Sequence, residues 1–83
     1  MQHRIIVHSS TFGRDFVFLH RADRNANESD KRTSALFLDY KGPRGGTICE
    51  QVTFRGGPVY VTEADAPEMC RRIVRAWEHD GVQ

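Results

Sequence analysis

Residues 43–58 read PRGGTICEQVTFRGGP, and this stretch decides how the chain is built. It carries Arg44-Gly45-Gly46 and, eleven residues on, Arg55-Gly56-Gly57 behind Phe54. Repeated Arg-Gly-Gly units with aromatics occur in RNA-binding tails, so the two units are either one binding box or two turns. The residues between them alternate. Ile48, Glu50, Val52 and Phe54 share one side and Thr47, Cys49, Gln51 and Thr53 the other, the period of a strand. Eight extended residues span roughly 27 Å, so the two units fall at opposite ends of one strand and read as turns. Their glycines supply positive φ and leave Arg44 and Arg55 at separate tips.

Working outward, Ile5-Ile6-Val7 marks a first strand over about residues 3 to 9, and Ser9 to Arg14 is rich in turn formers. Phe16 to His20 is a second strand, because aromatic and β-branched residues suit a pleated surface. Arg21 to Thr33 is polar and mixed in charge, a loop. Ala35 to Tyr40 is a third strand, and Lys41 to Gly46, with three glycines and a proline, must turn. Thr47 to Phe54 is the fourth strand and Pro58 to Thr62 the fifth. One helix follows. Asp65 and Glu68 have capping-box spacing, Pro67 suits the first turn, and Gly81 suits a left-handed stop. Met69, Ile73 and Trp77, with Cys70 and Val74, form its apolar stripe.

The expected fold is therefore α+β: a five-stranded antiparallel meander with one C-terminal helix packed on one face, in a single domain spanning residues 1–83. A helix of about 14 residues is roughly 21 Å long and covers only one face of such a sheet. Yet the first three strands place apolar residues on both faces. The second face is closed by barrel-like curling, by a homodimer, or by a partner.

Composition narrows function mainly by exclusion. The 12 Lys and Arg against 11 Asp and Glu give a net charge of +1, without the basic excess that holds proteins to nucleic acid by counterion release. Residues 1–61 hold nine basic and six acidic side chains, 9 − 6 = +3, and residues 62–83 hold three and five, 3 − 5 = −2. No run approaches the roughly 18 apolar residues of a membrane span, and MQHRIIVHSS falls short of a signal-peptide core, so a cytoplasmic protein is expected. Cys49 and Cys70 lack zinc-site spacing and read as reduced, packed thiols rather than a disulfide. No cofactor or metal motif is present, and no catalytic spacing either, although His20, Arg21 and Asp23 are the residue types a small ribonuclease toxin uses.

In a simple meander, the 9–14 turn, the 41–46 turn and the helix N-terminus share one end. Ser9, Ser10, Thr11, Arg14, Lys41 and Arg44 then either form an anion site there for phosphate or carboxylate, or merely shape the turns with the basic residues in water; exposed Phe12 and Tyr40 flank this end. The other end gathers Arg21, Arg24, Lys31, Arg32 and Arg55 with Asp23, Glu28 and Asp30. The order of sheet then helix, over about residues 55–79, resembles the small dimeric single-stranded-DNA-binding transcriptional coactivators. That resemblance implies a dimer and a nucleic-acid ligand, although it carries no base-stacking motif.

Two functions compete. The first is a non-enzymatic protein docking on a larger protein or ribonucleoprotein complex. Phage-encoded inhibitors of bacterial defence systems, anti-CRISPR proteins among them, have this general character. The second is a single-stranded DNA or RNA binder using Arg14, Lys41, Arg44 and nearby aromatics. The expected binding residues are Phe12, Arg14, Arg24, Arg32, Tyr40, Lys41, Arg44 and Arg55.

Overall fold

A computed structural model describes residues 2–23 and 34–81. The strands are β1 (His3–Ser9), β2 (Arg14–Arg21), β3 (Ser34–Lys41), β4 (Thr47–Gln51), β5 (Thr53–Phe54), β6 (Gly57–Pro58) and β7 (Tyr60–Val61), and the helix is α1 (Ala66–Asp80). Strands β1 to β4 form an antiparallel meander in chain order, and α1 packs across one face, as the sequence predicts. The sheet is open rather than closed into a barrel, with β1 on one edge and β4 with β7 on the other.

The fifth strand departs from expectation. Instead of turning back beside β4, the chain leaves the sheet after Val52, forms the small β5–β6 hairpin, and returns at Val59 to the same edge of β3. Leu36 holds both ends of this excursion: its carbonyl accepts from Val52 N–H (2.9 Å) and its own N–H donates to Val59 (3.1 Å). In an uninterrupted antiparallel ladder one residue would make both bonds; here two residues share them. Val52 and Val59 both face the core, which the hydrophobic gain from burying two valines favours. β7 therefore runs in the same direction as β4.

This changes which end of the sheet receives the helix. α1 starts beside the beginning of β1, where His3 Nε2 lies 3.3 Å from Glu63, and finishes beside the β1–β2 turn, where Ser9 meets Glu78. The helix N-terminus does not join the 9–14 and 41–46 turns, so the expected anion site beside it is not assembled. The helix end that reaches the β1–β2 turn is the C-terminal one, which carries partial negative charge.

The helix side of the sheet holds the main core: Phe16, Phe18 and Leu36 against Cys70, Ile73 and Val74. Trp77 extends it, its ring 5.4 Å from Phe16 and 6.1 Å from Phe18. At the helix N-terminus the expected capping box is not made. The Asp65 carboxylate accepts from the Thr62 hydroxyl (3.1 Å), and Glu68 is held by Arg71 and Arg75 (2.9 and 3.2 Å). Thr62 supplies the cap instead: its carbonyl and hydroxyl oxygens receive the Asp65 N–H and its carbonyl the Ala66 N–H. Pro67 sits in the first turn, and Gly81 (φ 72°) ends the helix by donating to Trp77.

Ser9 ties the two layers together. Its fully buried hydroxyl donates to Glu78 Oε2 (2.6 Å) and accepts from the Phe12 N–H (3.1 Å), fixing both the turn and the last helical turn. Replacing Ser9 with Ala removes both bonds and leaves Glu78 and the Phe12 amide without this partner. We expect a loss of about 2 kcal/mol of unfolding free energy in urea. An exposed polar residue such as Ser10, changed to Ala, should stay within about 0.5 kcal/mol of the parent.

Candidate functional site

Strand alternation sorts the side chains onto two faces. Ile5, Val7 and Ser9 of β1, Phe16, Phe18 and His20 of β2, and Leu36, Leu38 and Tyr40 of β3 point to the helix side. Arg4, Ile6 and His8, then Asp15, Val17, Leu19 and Arg21, then Ala35, Phe37, Asp39 and Lys41 occupy the helix-free face. The two halves of that face differ. Near the start of β3, Leu19, Ala35 and Phe37 form a second buried cluster with Tyr60. Asp23, just past β2, accepts from both Gln51 Nε2 (3.0 Å) and the Tyr60 hydroxyl (2.7 Å). The Arg21 guanidinium lies 4.4 Å over the Phe37 ring. The other half is open, and Ile6 is 57% exposed in the middle of β1.

The expected basic and aromatic residues do not form one surface. Phe12 is half-buried rather than exposed, its ring edge-on to Phe16 at 5.8 Å and packed against the core. Arg14 lies over the other flank of this cluster, 4.6 Å from the Phe16 centroid. Tyr40 is exposed on the helix side and donates to Glu50 (2.8 Å), a hydrogen bond that, with partial desolvation and the carboxylate charge, pushes its phenol pKa up. Lys41 is on the opposite face. Arg44 is exposed in the turn closed by Gly42 N–H to Gly46 O (2.6 Å). Arg24 and Arg32, with Glu28, Asp30 and Lys31, lie outside the described residues.

Arg55 stands apart from the other end that it was expected to join. Phe54 pairs with Gly57, leaving Arg55 (φ 55°) and Gly56 (φ 91°) as a two-residue turn with positive φ at both positions, the geometry of a type I′ hairpin. Arg55 is the single non-glycine residue with positive φ among the described residues. Its guanidinium is 5.4 Å from the Phe54 centroid, and the tip lies against the helix rather than beside Arg21. Clefts open on both sides of it. One, about 270 Å³, is lined by Phe54, Arg55, Pro58, Val59, Tyr60, Met69 and Arg72; the other, about 430 Å³, by Thr53, Phe54, Arg55, Ala76, Trp77 and Asp80.

His20, Arg21 and Asp23 are not brought together. His20 is buried on the helix side, its Nε2 2.8 Å from the Val61 carbonyl, whereas Arg21 and Asp23 serve the opposite face. The His3 and His20 rings lie with centroids 6.5 Å apart. His8 is at the far end of the hairpin, 2.7 Å from Asp15. Among the described residues no three His, Cys, Asp or Glu side chains converge as a metal would require, and no helix is long and apolar enough to cross a membrane. Both cysteines are free, but only Cys70 is packed; Cys49 is exposed on β4, where the open sheet edge leaves it uncovered.

Compared with known protein families, curated proteins and solved structures, the chain finds no match.

The thiols should be separable by reagent. Burial pushes the Cys70 thiol up to about 12, so at neutral pH an aromatic disulfide reagent should titrate one thiol, Cys49, and reach the second only in denaturant. The turn gives a second expectation. An arginine in the left-handed region costs roughly 1 kcal/mol, and its exposed stacking on Phe54 returns about half of that. Arg55→Asn, the residue type I′ turns prefer, should therefore raise unfolding free energy by about 0.5 kcal/mol in chemical denaturation.

Proposed function

We propose that this chain is a non-enzymatic binding protein that docks on a larger protein or ribonucleoprotein through the edge strand β1 and the open half of the helix-free face. One observation carries this reading: Ile6, 57% exposed, sits at the centre of a seven-residue strand whose outer edge, among the described residues, has no partner strand. A single exposed isoleucine is ordinary on a soluble protein. Its position is what matters, because an unpaired strand edge offers a row of backbone donors and acceptors to an incoming segment. HRIIVHS contains neither proline nor lysine, the residues that commonly blunt such edges. An extended partner segment adding to β1 would gain backbone hydrogen bonds, and Ile6 and Val17 would supply an apolar contact beside them. The partner-blocking character of phage-type inhibitors of bacterial defence systems is consistent with this mode, on grounds of size and charge balance.

The single-stranded nucleic-acid reading receives less support. Phe12 and Arg14 are engaged with Phe16, and Lys41 lies on the other face from Tyr40.

The test compares the parent chain with Ile6→Asp in capture from host lysate, with and without nuclease treatment. We expect nuclease-resistant capture of a protein partner, at least tenfold weaker for Ile6→Asp, with the thermal midpoint of the variant unchanged within about 3 °C. Capture that survives Ile6→Asp overturns the assignment of this face. Capture that disappears with nuclease favours nucleic acid. A parent dimer that becomes monomeric on Ile6→Asp in light scattering assigns the face to a second copy.

A further inference from the structure

We propose that the cleft between the β5–β6 hairpin and α1 is a second binding site, one that receives an acidic side chain and a neighbouring apolar side chain from a protein segment. Its polar side is built from two arginines. α1 carries three, Arg71, Arg72 and Arg75, and Glu68 engages Arg71 and Arg75 at 2.9 and 3.2 Å. Arg72, one turn beyond Glu68, feels that carboxylate electrostatically but makes no ion pair with it, and it lines the cleft wall where Arg55 approaches from the hairpin. Neither Arg55 nor Arg72 makes a salt bridge among the described residues, and no described Asp or Glu lines this cleft. The other cleft beside Arg55 contains Asp80 and lacks Arg72, so the positive charge is concentrated on one side of the hairpin.

The rest of the lining is apolar or aromatic: Phe54, Pro58, Val59, Tyr60 and Met69. Pro58 and the two-residue turn stiffen one wall, and the helix stiffens the other. Methionine adapts to irregular apolar shapes, which suits a site that accepts a side chain rather than a rigid ring system. Size decides the class of occupant. At about 270 Å³ the space falls at or below the range that holds drug-sized ligands and cofactors, and it matches one or two amino-acid side chains.

Charge complementarity then selects the chemistry. Stacking of Arg55 on Phe54 leaves the edge of its planar fork free, the edge that pairs with a carboxylate. Arg55 also holds the left-handed conformation that Asn or Gly would adopt at less cost. Strained backbone of this kind persists at binding positions when the side chain it presents is needed there. The site is distinct from β1 and Ile6, so it stands or fails independently of the strand-addition reading.

The experiment is selection of a random dodecapeptide library displayed on phage against the immobilised full chain, followed by affinity measurement with a selected synthetic peptide. We expect enrichment of Asp or Glu next to Leu, Ile or Phe. Arg72→Ala should weaken the selected peptide about tenfold or more, as loss of a charge-assisted bond implies. Arg55→Asn, which keeps the turn, should weaken it similarly, while Ile6→Asp should leave it unchanged. Peptide amide shifts mapped by heteronuclear NMR should cluster at Met69, Arg72 and the 54–60 hairpin. Failure to enrich acidic sequences, or equal affinity for the parent and both arginine variants, overturns the proposal. So does a single-stranded oligonucleotide that binds tighter than the peptide and is lost with the same two variants.

Discussion

The hydrogen bonds of Leu36 set the geometry of everything that follows it in the chain. One backbone position on β3 is shared between Val52 and Val59, which leaves residues 53–58 free to form a separate hairpin. Had the chain turned back beside β4 instead, the last strand would run the other way and α1 would start at the β1–β2 turn. The helix would then bring its positively polarised end to Arg14 and Arg44, and Glu78 would be far from Ser9. Sharing the pair places the helix C-terminal turn against Ser9 and puts the hairpin tip on the flank of α1. Both clefts beside Arg55 exist because of that placement.

The two sides of the sheet meet the burial problem differently. On the helix side, Phe16, Phe18, Trp77 and Leu36 form a continuous core, and the buried hydroxyl of Ser9 is satisfied in both its donor and acceptor roles. On the other side a smaller cluster forms around Phe37, with Asp23 accepting two hydrogen bonds at its rim. Among the described residues this cluster covers only part of the second face. The uncovered portion lies over β1, which among the described residues is the edge strand of the sheet.

Local pattern carried much of this in the sequence, and long-range pairing carried the rest. The bounds of β1, the start of β4 at Thr47 and the Gly81 stop all follow from residues close together in the chain, whereas the strand expected to run on from Thr47 to Phe54 ends at Gln51 and Phe54 joins the separate β5–β6 hairpin. The turn at Arg55-Gly56 was legible too, since a glycine pair after arginine has few other conformations. The pairing partner of Tyr60 and Val61 was not, because alternation tells which way a side chain points and nothing about which strand lies beside it. The anion site failed for that reason alone: it depended on counting reversals, and the excursion at Leu36 added one. Asp65 was misread because its carboxylate had a nearer hydroxyl in Thr62. Phe12 was misread because an aromatic in a turn next to Phe16 gains more by packing than by exposure.

An exposed strand edge carries a risk of self-association, and β1 can be examined for it residue by residue. Antiparallel pairing of two copies centred on Ile6 would set Ile6 against Ile6 and Ile5 against Val7, both favourable. The same register sets Arg4 of each copy against His8 of the other, twice. His8 is held 2.7 Å from Asp15 on its own chain, so self-pairing must either break that contact or crowd a cation beside it. A partner segment with an acidic residue opposite Arg4 and an apolar one opposite Ile6 meets neither difficulty. On that comparison the docking proposed at β1 would favour a heterologous segment over a second copy, with Arg4 and His8, two residues to either side of Ile6, as the source of its specificity.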